Sequence, residues 1–251
     1  MQLTHWRGPV VGILGGLGPA ATVTFLDQVV KLTDAARDQD HVDVIVLQHG
    51  SVPDRTQAIL GEGESPVPAL AADALTLERL GVDLIALPCN SAHAFKDEII
   101  RDVTTEVFSI VDLTAARAVE VAAARARPGE TPPPIAVFAT EGSIAAGTYE
   151  RAVTGLSGTV WLPPEDMQRD ITAIIYDQVK AGLPADVALL ERLIDQALDA
   201  GAGVVVLGCT ELSVVYAQEP SLAARPELVD SLRTLAVATI ERSGRRVRHS
   251  A

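Results

Sequence analysis

Short apolar runs of strand length recur along the chain at Val10–Leu14, Val42–Leu47, Val82–Leu87, Glu106–Ile110, Ile135–Ala139 and Val204–Leu207. Between several of them lie stretches of helical length and spacing: Pro19–Ala36, Pro68–Leu80, Thr114–Arg127, Glu165–Ala181 and Asp186–Ala200. Apolar runs without polar alternation suit strands buried on both faces, and their alternation with helices predicts βαβ units around a parallel sheet. The segment Pro128-Gly129-Glu130-Thr131-Pro132-Pro133-Pro134 can be neither helix interior nor central strand, so it reads as a linker. A C-terminal helix, Glu227–Arg242, is expected to return and pack on the first half.

One plan occurs on each side of that linker. The first half opens with a strand and a Gly-rich turn, Val11-Gly12-Ile13-Leu14-Gly15-Gly16-Leu17-Gly18-Pro19, and later reaches Ile85-Ala86-Leu87-Pro88-Cys89-Asn90. The second opens Ile135-Ala136-Val137-Phe138-Ala139-Thr140-Glu141-Gly142-Ser143 and later reaches Val205-Val206-Leu207-Gly208-Cys209-Thr210. The fold class is therefore α/β with two similar domains: residues 1–115, completed by 215–251, and residues 116–214. The two cysteines of the chain fall at matched points, each at the carboxyl end of a strand, where open α/β sheets bind ligands. If the halves face each other about a pseudo-twofold axis, the cysteines flank one cleft.

Composition narrows the classes. The 251 residues include 33 acidic and 20 basic ones, a net charge of −13, which argues against a nucleic-acid partner. The Arg245-Arg246-Val247-Arg248 run reads as a solvated tail. Hydrophobic residues make up 48%, ample for a core, yet no run approaches the roughly 18–20 apolar residues of a membrane span. Arg7 is followed by a stretch broken by Gly12, Gly15 and Gly16, a poor signal peptide, so a soluble cytoplasmic protein is expected. Aromatic residues are only 4%, and the aliphatic filling fits helices rich in alanine over a parallel sheet.

Two free cysteines can be small core hydrophobes, and for either one alone that reading is as good as any. A disulfide is disfavoured in a reducing compartment, and no Cys-x-x-Cys or compact His cluster offers a metal site; His5, His41 and His249 form no constellation. Matched positions favour chemistry instead. Inverting a stereocentre without a cofactor needs one group to take the α-proton and another to return a proton to the opposite face. A thiol, titrating near 8.5 when unperturbed, can serve as acid and as base near neutrality. Asn90-Ser91 and Thr210-Glu211 follow the cysteines and would offer polar groups and N–H donors to an α-carboxylate.

The blocks Gly15-Gly16-Leu17-Gly18-Pro19-Ala20-Ala21-Thr22, Val52-Pro53-Asp54-Arg55-Thr56, Pro88-Cys89-Asn90-Ser91-Ala92-His93 and Leu207-Gly208-Cys209-Thr210-Glu211 together resemble the aspartate/glutamate racemase family, from about Val10 to about Ile240. The resemblance implies two Rossmann-like, flavodoxin-like domains, a homodimer, no pyridoxal phosphate or other cofactor, no metal, and Cys89 and Cys209 as the catalytic pair. It implies a small dicarboxylic amino acid as substrate, aspartate ahead of glutamate. Ser91 and Ser143 stand where the family has threonine, which keeps the hydroxyl but alters pocket shape.

The other site residues have competing roles. Arg55 is either a carboxylate clamp, supported by the family's matching arginine, or a surface partner of Asp54 or Glu62. Lys180 either focuses positive charge for the substrate or complements a helix end. Gly16, Leu17 and Gly18 could suggest a dinucleotide loop, but Gln48 and His49 occupy the place of the ribose-binding acid, so a small carboxylate is preferred. Thr140, Gly142 and Ser143 form the equivalent turn of the second half. His93, one turn beyond Cys89, reads as structural or supporting rather than as a base, and Glu211 as an orienter of Thr210, a contact to the substrate amine, or a cap. The competing functions are a maleate isomerase or decarboxylase of the same superfamily, and an anion- or nucleotide-binding module.

Overall fold

The computed structural model describes Trp6 and residues 8–248. His5, Arg7 and His249 lie outside the described residues. The chain divides into two compact units: one runs through Ile110 and resumes at Leu232, the other is Val111–Ser231.

The first unit contains β1 (Val10–Gly15), α1 (Pro19–Leu32), β2 (Asp43–Gln48), α2 (Arg55–Leu60), α3 (Val67–Leu80), β3 (Leu84–Ala86), α4 (Lys96–Ile99) and β4 (Glu106–Phe108). Starting at the boundary, α5 (Ile110–Arg125) leads into β5 (Ile135–Phe138), α6 (Glu141–Ala145), α7 (Thr148–Gly155), β6 (Val160–Trp161) and α8 (Glu165–Ala173). There follow α9 (Val187–Asp199), β7 (Val204–Leu207), α10 (Thr210–Gln218), α11 (Pro220–Ala223), β8 (Leu228–Asp230) and α12 (Ser231–Arg242).

Each unit has one four-stranded parallel sheet, ordered β2-β1-β3-β4 in the first and β6-β5-β7-β8 in the second. In both, the chain steps from the first strand to one side and then crosses to the other. Strand order thus reverses between β1 and β3, and between β5 and β7, the points where ligands settle on open α/β sheets. The central strands β1, β5 and β7 are buried along their whole length, which is why their sequences are unbroken apolar runs. Edge strand β2 is only half-buried. Gly12 lets α3 lie directly on β1: a Cβ there would meet Leu77 and Val82 at 3.1 Å. On α9, Leu190, Leu193, Ile194 and Ala197 form one buried face at helical spacing, and the Asp186 side chain caps the helix by accepting from Leu189 N–H at 2.8 Å.

Several expectations change. Residues 228–230 are strand rather than helix, because Val205, Val206 and Leu207 offer a paired edge to Leu228, Val229 and Asp230; the helix begins only at Ser231. The return to the first unit therefore comes at Leu232, once β8 has completed the second sheet, and not near residue 215. Pro128–Pro134 does not separate the units. It lies inside the second, with Pro133 packed so closely on the turn before β7 that a Cβ on Gly203 would stand 2.2 Å from its Cγ. The helix expected over 165–181 is α8 followed by a π-helical turn, Ile174–Lys180. The arginine-rich end is no free tail: Thr33 and Val247 form an antiparallel bridge, flanked by Asp34 N–H to Arg246 O at 2.8 Å and Arg248 N–H to Leu32 O at 2.7 Å.

A carboxylate clip ties α3 to the start of β4. Glu78 Oε2 accepts from the N–H and hydroxyl groups of both Thr104 and Thr105 at 2.6–3.0 Å. These donors, the Thr105 N–H first, hold its carboxyl below the ordinary range. Because the folded value is depressed, the contribution is present above the unfolded value and disappears as pH falls through the folded one. Glu78→Ala should cost about 1 kcal/mol at pH 7, with the gap from wild type narrowing steadily as the pH of paired urea melts is lowered below the ordinary carboxylate range.

Candidate active site

At the carboxyl edge of the first sheet, β1 ends in the Gly15-Gly16 turn. Gly16 has φ +97°, and a Cβ on it would lie 2.5–2.7 Å from the His49 backbone. Only glycine fits there. The Gly16 N–H, expected to face an anion, instead donates to Thr22 Oγ1 at 2.9 Å. Leu17 is buried in the apolar cluster on this face of the sheet, so only its backbone is available to a ligand, and Gly18 is the N-cap of α1 with Pro19 in the first turn. Gln48 is the exposed last residue of β2, and beside it His49 Nδ1 pairs with Asp73 Oδ2 at 2.6 Å.

Cys89 stands three residues beyond β3, only 2% exposed, packed in the cluster with Leu87 and Ala92. Its Sγ lies 3.5 Å from Ser91 Oγ. The Ser91–Phe95 segment is a 3₁₀ turn whose N-cap, Asn90, is buried and accepts from the His93 N–H. His93 Nδ1 donates to the Cys89 carbonyl at 2.7 Å, so the histidine fixes the cysteine turn as a supporting residue.

Arg55 opens α2 and is 7% exposed. Its Nη1 donates to the carbonyls of Val52 and Pro53 at 3.2 and 3.0 Å, while the buried Nε has no partner among the described residues. Asp54 is occupied in capping α2, where it accepts from Gln57 N–H at 3.0 Å. The surface salt bridge to Asp54 or Glu62 is therefore not the role of this arginine. A buried guanidinium held only by carbonyls is electrostatically incomplete, and an anion would complete it.

The second unit repeats the arrangement with different polar residues. Thr140 caps α6, accepting from Ser143 N–H at 3.2 Å and donating to Ser143 Oγ at 3.0 Å, with Gly142 buried between them. Cys209, 6% exposed, is the N-cap of α10 and donates from Sγ to Glu211 Oε2 at 2.9 Å. Thr210 Oγ1 donates to the same oxygen at 3.3 Å. Glu211 thus orients both Thr210 and the thiol. Burial, and then the Glu211 carboxylate, push the Cys209 thiol well up; Lys180 and the Glu211 N–H pull the other way. Lys180 closes the π-helical turn with Nζ 4.1 Å from the Tyr176 ring centroid.

Sequence reasoning missed Tyr176, which carries Lys180, and Tyr149. The Tyr149 ring is so close to Gly208 that a Cβ there would stand 2.9 Å from its Cε2, and its hydroxyl bonds with Thr114 and Ser231. Burial raises its pKa far beyond the usual tyrosine range. Neither tyrosine belongs to a local motif. Among the described residues no group of three or more His, Cys, Asp or Glu could hold a metal ion, and no helix is long and apolar enough to cross a membrane.

Two parallel α/β units of one strand order are the architecture of racemase structures, and by its relatives the chain is an amino-acid racemase, an isomerase. Residues 14–239 match the sequence model of the Asp/Glu/Hydantoin racemase family, and the chain belongs to that family. It is 28% identical to the aspartate racemase of Picrophilus torridus, covering 96% of each chain with a TM-score of 0.78. It is 25% identical over 238 residues to the broad specificity amino-acid racemase RacX of Bacillus subtilis strain 168, covering 92% of this chain and 96% of the relative. A glutamate racemase from Francisella tularensis, solved with D-glutamate, shares the fold at 14% identity and a TM-score of 0.61, over 94% of this chain and 81% of that one.

Removing the Glu211 charge takes away a contact that raises the Cys209 thiol. Mass-mapped iodoacetamide labelling of Glu211→Gln should show the alkylation midpoint of Cys209 moved to lower pH, with that of Cys89 unchanged. An unmoved Cys209 midpoint would contradict the assigned role of Glu211.

Proposed function

We propose that the chain racemises an acidic amino acid, aspartate first, by cofactor-independent proton transfer through Cys89 and Cys209. The observation that carries this reading is the equivalent placement of the two cysteines at the reversal points of sheets with one strand order. The likeness to the Picrophilus aspartate racemase supports aspartate, and the broad specificity of the Bacillus relative argues for testing a panel of amino acids. Arg55 supports an anionic substrate: with Nη1 held by the Val52 and Pro53 carbonyls, the Nε without a partner among the described residues suits one carboxylate of a dianion entering a protein of net charge −13.

In this cycle Cys209, whose thiol donates a hydrogen bond to Glu211, gives the proton, and Cys89, 3.5 Å from the Ser91 hydroxyl, takes the α-proton. Cys89 Sγ takes the α-proton; the Cα–H bond breaks and its electron pair moves into the α-carboxylate. Cys209 then gives its proton to the opposite face of Cα, leaving Cys89 protonated and Cys209 as thiolate. The Glu211 N–H and Lys180 stabilise that thiolate until solvent restores the starting state. The reverse reaction runs through the same atoms.

Racemisation in deuterated water tests the cycle. L-Aspartate should give D-aspartate carrying solvent deuterium, with little label in recovered L-aspartate at early times. Cys89→Ala and Cys209→Ala should each lose about 10²–10⁴-fold in rate. Near-normal racemisation by either variant would overturn the paired-thiol reading. Arg55→Ala should raise KM for aspartate about tenfold or more, with a much smaller effect for alanine, if the guanidinium reads the side-chain carboxylate.

A further inference from the structure

Arg55 takes its position from the loop that precedes it, which leaves β2 after Gln48 and enters α2 at Arg55. Gly50 and Ser51 of that loop are exposed, whereas Val52 is buried in the apolar cluster of the first unit. The other fixed point is His49. Its N–H donates to the Gly15 carbonyl at 3.1 Å, one step beyond the Gly15–Gln48 pair that ends the β1–β2 ladder. Its main chain lies directly against Gly16, where a Cβ would stand 2.5 Å from the His49 carbonyl carbon. The His49 carbonyl in turn accepts a long bond from Val52 N–H at 3.5 Å, closing the turn that presents the Val52 and Pro53 carbonyls to Arg55 Nη1.

The imidazole of His49 reaches toward α3. Its Nδ1 donates to Asp73 Oδ2 at 2.6 Å, with the His49 side chain 38% and the Asp73 side chain 20% exposed. Asp73 is carried by a well-anchored helix: Leu70, Ala74 and Leu77 lie in the cluster that also holds Leu14, Val52, Leu87 and Cys89. Strand alternation agrees with this face, because Ile45 and Leu47 of β2 pack on the same cluster and His49 follows at the next two-residue step. A pair this open to water adds little to stability, but so short a bond to a carboxylate fixes the direction in which His49 leaves the sheet. The clamp and the thiol are neighbours in this unit, since α2 packs on the Ser91–Phe95 turn that follows Cys89. A displaced loop would therefore change where the guanidinium stands relative to Cys89.

We propose that His49, oriented by Asp73, is a positioning residue for Arg55. This rests on the reading of Arg55 as the clamp for a carboxylate of a dicarboxylic substrate. His49 acts through the loop: it sets where the Val52 and Pro53 carbonyls hold Nη1, and thereby where Nε meets a carboxylate.

Calorimetric titration with succinate, an unreactive dicarboxylate, and steady-state racemisation of L-aspartate test this. His49→Asn has an amide nitrogen at the position of Nδ1 and keeps the bond to Asp73. His49→Gln, equally polar, has its donor further out and loses that bond. His49→Gln and Asp73→Ala should each weaken succinate binding about 5–20-fold and raise KM for L-aspartate by a similar factor, with kcat within about twofold. His49→Asn should stay within about threefold of wild type. Added to Arg55→Ala, His49→Gln should change neither quantity further, because its effect passes through the guanidinium. A wild type that binds no succinate, unchanged binding in His49→Gln, or an equal loss in the Arg55→Ala background would overturn the proposal. Binding that depends on His49 and Arg55 in a protein that racemises nothing would keep the proposal and remove the function. Normal racemisation with unchanged binding in His49→Gln would do the reverse.

Discussion

A cysteine at the end of a buried parallel strand is packed among aliphatic side chains and yet faces the polar edge where the strand stops. Cys89 sits with Leu87 and Ala92, Cys209 with Leu207 and Leu212. In such surroundings the neutral thiol is the cheaper state and the thiolate depends on whatever polar atoms reach the sulfur. The chemistry of the molecule follows from that constraint. Whichever groups lie within hydrogen-bond range of each sulfur decide which one holds a proton at rest.

Those groups differ although the scaffold repeats. Two residues after the cysteine stands Ser91 in the first unit and Glu211 in the second. The first places a hydroxyl 3.5 Å from the sulfur, the second a carboxylate at 2.9 Å. The supports differ as well: a 3₁₀ turn braced by His93 on the Cys89 carbonyl, against a regular helix capped by Cys209. A racemase needs acid and base to exchange roles in each half-reaction, but it does not need them to start alike. Here equivalent backbones carry unequal polar neighbours.

The proposed recognition of an anionic substrate rests on an incomplete interaction. Arg55 is buried, its Nη1 donates to the carbonyl oxygens of Val52 and Pro53, and its Nε has no partner among the described residues. That deficit is not visible in the sequence, where Arg55 could as well have paired with Asp54.

Hydrophobic pattern alone was sufficient to find the parallel α/β class, six of the strands to within two residues of their bounds, and the internal repeat, since burial on both faces writes an unbroken aliphatic run directly into the chain. Matched spacing after those runs brought out Cys89 and Cys209, and local motif chemistry brought out Arg55 and the glycines, of which Gly16 is required by a positive φ and a close backbone. Strands β6 and β8 stayed hidden because two or three residues carry no period, and β8 exists only because β7 leaves an edge to be paired. The proline segment looked like a linker but is packed on Gly203 inside the second unit, and the return to the first unit comes at Leu232 because β8 first completes the second sheet. The partners of Gly16 N–H, Arg55 and Cys209 lie within six residues along the chain, yet the choice of partner was not legible there. Tertiary structure decided which polar atoms meet, because a hydrogen bond depends on the distance and direction that the folded turns impose, whereas sequence proximity alone offers several partners to each group.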